Sequence, residues 1–231
     1  MTLPLNTGYV THAFGSGKVT TPRGVVECFV RQAGDLVLPT GRIVACDPLV
    51  FDEAEPFTVT VPGGSYPVSL AVAKVSETDQ RVAFAKVSFA VADPVTWGMA
   101  VVAGQDSATL HANHIFGYPV DSGTGSFIDA EAAALLVQRL RAEDGYDQTI
   151  IDEMEKTYVS TWSYASVRPS LHDEGNCVAF SSGWGDGVYA SYFGYSTAHD
   201  VVCLVTDFDV LWREDFPEAD RPKRKPWWKF W

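Results

Sequence analysis

An α+β fold, mainly antiparallel β-sheet in two strand-rich regions with two amphipathic helices inserted between them, is what this sequence predicts. Three observations carry it. Runs of β-branched and aromatic residues crowd positions 26–92 and return after position 176. Two stretches of helical periodicity separate those regions. The links between strand-like runs are short and rich in Gly, Pro, Ser or Asp, as antiparallel neighbours require.

In order, the first strands are VECFV (26–30), GRIVACDP (41–48), PFTVTVP (56–62), YPVSLAVAKV (66–75) and RVAFAKVSFAVA (81–92). The turn-forming segments PTG, PGGS and SETDQ divide them. The last two, joined by SETDQ, read as a β-hairpin with PFTVTV beside it. From Asp129, an N-cap residue, DAEAAALLVQRLRAEDG places Ala132, Leu135, Leu136 and Leu140 on one helical face and ends near Gly145. A second helix over DQTIIDEMEKTYV sets Ile150, Ile151, Met154 and Tyr158 at helical spacing. The third region, NCVAFSS, VYASYFGY and VVCLVTDFDVLW, reads as a three-stranded meander whose first turn is GWGDG. In that turn the glycines permit positive φ and Asp186 braces the backbone.

At 231 residues and 46% hydrophobic, the chain is long enough for a full core. We expect a single domain over 1–216 and a tail over 217–231. The formal net charge is −12, which argues against nucleic-acid binding, since phosphate contacts need clustered Lys and Arg. That charge is unevenly placed: residues 1–220 hold 12 of the 17 basic residues and all 29 acidic ones, a net of −17. No basic, apolar leader opens the sequence and no run of about 18 apolar residues exists, so a cytoplasmic, non-transmembrane protein is expected. Cys28, Cys46, Cys177 and Cys203 lie apart in apolar runs without a CxxC pair, the pattern of reduced core thiols.

Several residue groups carry possible chemistry. In GYPVDSGTGSFID (117–129), Asp121-Ser122-Gly123-Thr124 fits the short signature of aspartic proteases, but no second DTG or DSG supplies the twin carboxylate. Gly123 and Gly125 are read instead as a tight turn, either an anion cradle or a plain connection into the helix that Asp129 opens. Asp47, Asp121 and Asp186, each in a turn or at a strand end, form a candidate metal or acid-base set if they converge; Asp before Pro or Gly is equally ordinary turn chemistry. His111 and His114 in LHANH lack further ligands in sequence. The tail RPKRKPWWKFW (221–231) interleaves five cations with the aromatics Trp227, Trp228, Phe230 and Trp231. Such a segment suits an anionic membrane surface, or an acidic, aromatic-lined groove on a partner or on this protein's own body.

Together GRIVACDP, GGSYPV, GYPVDSGTGSF and NCVAFSSGWGDGVYASYFGY resemble an uncharacterised, mainly bacterial family, domain of unknown function 4241, over roughly residues 39–208. The resemblance implies that Arg42, Asp47, Tyr66, Asp121, Gly123, Gly125, Ser182, Gly183, Trp184, Gly185, Asp186, Gly187 and Tyr189 belong to one pattern; it implies no activity and no cofactor. One departure is Thr40, where the pattern has Ser ahead of Gly41-Arg42, a change that keeps the hydroxyl. From these we take Arg42, Asp47, Asp121, Gly123, Gly125, Trp184, Asp186 and Tyr189 as candidate ligand-binding positions.

Three functions compete on this reading. An acidic binding or immunity-type accessory protein would use its negative surface to steer onto a basic partner. A metal-assisted hydrolase would draw Asp47, Asp121 and Asp186 into one cleft. A membrane-surface adaptor would act through the tail.

Overall fold

The structure is a computed structural model and describes residues 5–51, 55–111, 114–170 and 175–211. In chain order its elements are α1 (Thr7–Phe14), β1 (Lys18–Thr21), β2 (Gly24–Leu38), β3 (Ile43–Cys46), β4 (Gly64–Lys74), β5 (Gln80–Ser88), β6 (Thr96–Met99), β7 (Tyr118–Val120), β8 (Thr124–Asp129), α2 (Ala130–Arg141), α3 (Tyr146–Glu155), β9 (Tyr164–Val167), β10 (Cys177–Ser181), β11 (Gly187–Tyr195) and β12 (Val201–Asp207). The protein is α+β, mainly antiparallel sheet, as its sequence predicts.

Two sheets form. The larger runs β1-β2-β4-β5-β12-β11-β6, with β7 also paired to β11; the smaller runs β3-β8-β10-β9. Every pairing is antiparallel. The small sheet is buried on both faces, so its strands divide their side chains between two cores. In β10, Val178 and Phe180 face the large sheet, while Cys177 and Ala179 face the layer that holds α2 and α3. In β8, Phe127 and Ile128 split the same way. This is the period-2 alternation of a strand with both sides dry.

The β4–β5 hairpin is present, closed where the N–H groups of Val75 and Ser76 donate to the Asp79 carbonyl. Both expected helices form. The carboxylate of Asp129 caps α2 by accepting from the Glu131 N–H at 2.9 Å, and its other oxygen accepts from the N–H and hydroxyl of Thr40. The hydroxyl that Thr40 keeps is therefore the one that ties the link between β2 and β3 to the head of α2. The second helix stops at Glu155, one turn short of Tyr158, which is 61% exposed and packs no face. The helix α1 has no clear periodic signal in TGYVTHAF. Asn6 caps it, accepting from the Tyr9 N–H, and the buried Val10 and Ala13 anchor it.

Three expectations need correction. PFTVTVP is no strand: it crosses from one sheet to the other, so its N–H groups go to separate partners. Phe57 donates to Ile43, Thr58 to Val101 and Val61 to Gly41, leaving only the bridge Phe57–Val102. TGSFID is not a turn into a helix but β8, an inner strand of the small sheet. The last three strands do not make a meander, because β10 pairs with β8 and β9 while β11 pairs with β12, β6 and β7. The loop SSGWGDG thus passes from one sheet to the other and turns no hairpin.

All four cysteines are free and buried. Among the described residues no helix is long and apolar enough to cross a membrane. The tail residues Trp227, Trp228, Phe230 and Trp231 lie outside the described residues, as does the region 212–231 as a whole.

Candidate functional site

The segments that carry Asp47, Asp121 and Asp186 meet, but as a brace rather than as a row of carboxylates. Asp47, at the end of β3, is 1% exposed. One of its oxygens, Oδ2, accepts from the N–H groups of Asp121 (3.0 Å) and Ser122 (2.7 Å); Oδ1 accepts from the Ser122 hydroxyl (2.7 Å) and the Leu49 N–H (3.0 Å). Four donors fill the lone-pair sites of a carboxylate. Asp47 therefore locks the turn between β7 and β8, where Gly123 adopts φ +77°. That turn in turn holds the sheet-crossing loop: the Gly123 carbonyl accepts from the Ser182 N–H at 3.0 Å, and the Gly185 Cα lies against Gly123.

Within SSGWGDG the backbone doubles back as Gly185 donates to the Ser182 carbonyl, and the hydroxyls of Ser182 and Tyr189 both donate to the Gly185 carbonyl. Ser182 and Tyr189 close this loop, while Asp186 is exposed. Gly183, at φ +52°, has no space for a methyl group: a Cβ there would stand 2.8 Å from the Phe208 Cβ and 2.9 Å from its carbonyl. Trp184 is half-buried, with the Arg81 guanidinium 5.1 Å from its ring centroid; Arg81 also donates to the Gly183 carbonyl and pairs with Asp79. Trp184 thus seals the loop against the end of the β4–β5 hairpin. Gly125 serves differently, since a Cβ on β8 would sit 2.8 Å from the Tyr118 hydroxyl and 3.2 Å from the Phe180 ring.

A cavity of about 390 Å³ opens on the other side of the Asp47 brace. Its origin is the split edge of the large sheet. One edge of β11 pairs with β7 at Gly187–Tyr189 and with β6 at Tyr192–Tyr195. Where these two short strands part, Ser191 and Ala100 border a gap whose far wall is β3 and the segment after it. The walls are aromatic, with Phe51, Phe57, Phe116, Tyr118 and Tyr189. The charges are all of one sign: Asp47, Glu55 and Asp121 line the cavity, and none of the described lining residues is basic. Glu55 and Asp121 are exposed at its mouth. In sequence, residues 52–54 between Phe51 and Glu55 are Asp-Glu-Ala.

Of the candidate positions, Asp47, Asp121 and Tyr189 line the cavity, Gly123 supports it from behind, and Gly125 and Trp184 are packing positions. Arg42 is exposed, away from the lining, and its carbonyl receives the Ala130 N–H at the start of α2. Asp186 is absent from the lining as well, and among the described residues no three His, Cys, Asp or Glu side chains gather into a group able to hold a metal. His111 and His114 stack edge to face at 5.8 Å, both exposed and on no helix. Sequence reasoning passed over Glu55, Gln105 and Tyr118. Tyr118 stood inside the quoted GYPVDSGTG, and Glu55 in the acidic run FDEAE, as the available signals.

Burial pushes the thiol of Cys46, part of the cavity wall, up to about 12; a hydrogen bond with Ser126 opposes this and the charge of Asp47 adds to it. Burial likewise raises the Tyr118 phenol well above its ordinary value. Neither group is an available nucleophile at neutral pH.

A family model described as protein of unknown function DUF4241 matches residues 36–206. This chain is a DUF4241 protein. The matched span runs from the last three residues of β2 to the penultimate residue of β12, so it contains the Asp47 brace, the crossing loop and every described wall of the cavity. No curated protein and no solved structure matches this DUF4241 chain.

Proposed function

We propose that this protein is a binding protein whose seam cavity takes a cationic group, an acidic accessory or immunity-type partner for a basic protein. The observation that carries the reading is the one-signed lining: Asp47, Glu55 and Asp121 with five aromatic rings and no basic residue among those described. A volume of about 390 Å³ has ample room for an arginine or lysine side chain. Carboxylates at the mouth would pair with the cation while the aromatic faces attract it and cover its apolar stem. The oxygens of Asp47 are already occupied by four donors, so this residue contributes field, and the exposed Glu55 and Asp121 make the contacts. Outside the cavity, the −17 net charge of residues 1–220 would speed encounter with a basic surface.

Fluorescence anisotropy of a labelled arginine-rich peptide, titrated with the full chain at low and moderate salt, tests this. Binding should weaken with salt, and Glu55→Gln combined with Asp121→Asn should weaken it about tenfold, the equivalent of about 1.4 kcal/mol. Affinity that ignores both changes contradicts the reading.

A further inference from the structure

We propose that residues 221–231 of this same chain dock into the seam cavity, so that the cationic, aromatic tail occupies the site until a basic partner displaces it. The inference rests on the reading of the cavity as a cation site and goes beyond it by naming the resident occupant. Three features of the molecule argue for it.

The first is chemical complement. Residues 221–231 carry Arg221, Lys223, Arg224, Lys225 and Lys229, four aromatics and no acidic residue. The cavity carries the reverse, three carboxylates and no base among its described lining residues, with rings for the tail's rings and cations to face.

The second is where the chain leaves the fold. The strand β12 pairs with β11 at Asp207–Ala190, between the cavity-lining Tyr189 and Ser191. Phe208 then stacks edge to face on Tyr189 with ring centroids 5.0 Å apart. The described chain thus ends at Leu211, three residues beyond a ring that packs on the cavity-lining Tyr189.

The third is reach. Residues 212–220 separate Leu211 from Arg221, and nine residues extend to about 30 Å at most. A body of this size has a radius of gyration of about 17 Å, so the basic run can come round to the mouth. Glu214, Asp215, Glu218 and Asp220 make this spacer acidic, which discourages it from adhering to the acidic body and leaves the basic run as the segment drawn in. A tether of that length sets an effective concentration in the millimolar range, so weak docking suffices to hold the tail in place. An incoming cation must compete with it, and its apparent affinity falls by the fraction of molecules whose cavity is open.

The test uses the full chain with Pro226→Cys carrying a nitroxide label. The four native cysteines are buried, so labelling is confined to the added thiol. Amide resonances of Ala100, Val102, Gln105 and Asp121 should lose intensity when the nitroxide is oxidised and regain it when reduced. Those of β1 should be unaffected, because β1 lies at the opposite edge of the large sheet from β6, six strand spacings or about 29 Å away. High salt should restore the cavity signals, and Glu55→Lys combined with Asp121→Lys should restore those of Ala100, Val102 and Gln105. Cavity amides that ignore the label overturn the proposal, whether the tail is free or is instead captured by vesicles containing phosphatidylglycerol. The peptide titration separates the two failures. If the arginine-rich peptide binds while the label leaves the cavity silent, the docking falls and the cation site stands; if both are silent, both fall.

Discussion

Asp47 is the residue on which the sheet-crossing architecture turns, and removing it gives a measurable quantity. Asp47→Ala takes away a buried carboxylate that accepts from Leu49, Asp121, and both the N–H and hydroxyl of Ser122. Hydrogen bonds to a charged acceptor contribute about 1.5–3 kcal/mol each, but the Ser122 hydroxyl is near the surface and can turn to water. The backbone donors cannot turn. Allowing for partial rehydration of the exposed Asp121–Ser122 turn, we expect a loss of about 3–5 kcal/mol, a large share of the 5–15 kcal/mol typical of a whole domain.

Asp47→Asn sharpens the argument. With its oxygen in the place of Oδ2 it keeps the bonds from Asp121 and Ser122, and its amide can donate to a rotated Ser122 hydroxyl. Only the Leu49 N–H then faces another donor, so the cost should be about 1–2 kcal/mol. Urea unfolding followed by tryptophan fluorescence measures both, read as midpoint shifts at constant slope. An alanine variant within 1 kcal/mol of the parent, or an asparagine variant as damaged as the alanine one, refutes the account of Asp47 as a brace.

Further outcomes follow from other positions. Gly183→Ala should cost about 2–4 kcal/mol, since it combines a positive φ with contact against Phe208, whereas Gly104→Ala, at φ +82° with open space around it, should cost about 1 kcal/mol; calorimetric midpoints separate them. Burial raises the thiols of Cys28 and Cys203 to about 11 and of Cys46 to about 12, against an ordinary value of 9.0. Below that ordinary value both states keep their protons; above it the unfolded chain releases protons that the folded chain retains. Stability should therefore decline from about pH 9 upward, and native thiols should resist iodoacetamide at pH 8 until denaturant is added. The hydrogen bond from Arg81 holds the Asp79 carboxyl below its ordinary range, with a smaller contribution from Thr161 and opposition from burial. This is a lowered carboxylate, so its stabilisation is present above the unfolded value and is lost as pH falls through the folded one. Asp79→Asn should cost up to about 1 kcal/mol at pH 7 and nothing at pH 2, because both partners are partly exposed.

What the sequence made legible was local. The β4–β5 hairpin could be read because its alternation and its SETDQ turn lie together, and α2 because Asp129 precedes a run of helix formers. Sequence neighbours misled where the chain changes sheets. NCVAF and VYASYFGY, with a Gly-rich turn between them, look like a hairpin, yet Val178 and Phe180 belong to one core and Cys177 and Ala179 to the other. A strand buried on both faces shows no polar side to declare its place. The strand β8 was hidden for the same reason, its Gly125 marking a close approach of Tyr118 and Phe180 rather than a turn. At the site, the bond from the Leu49 N–H to Asp47 is the turn chemistry that Asp-Pro announces. The bonds from Asp121 and Ser122 span more than seventy residues, and nothing local encodes them. The cavity was the least legible feature, because it exists only where β6 and β7 divide the edge of β11 between them.

The most direct measurement for the cation site is a heteronuclear NMR titration with arginine amide. The protein for it is a full-length chain in which the five tail cations are exchanged for glutamine: Arg221→Gln, Lys223→Gln, Arg224→Gln, Lys225→Gln and Lys229→Gln. A cavity that takes a cation predicts that the amides of Ala100, Val102, Gln105 and Asp121 shift together along one saturable curve, weakened by salt and by Asp121→Asn. Shifts scattered over the acidic surface, or none at these four positions, contradict it.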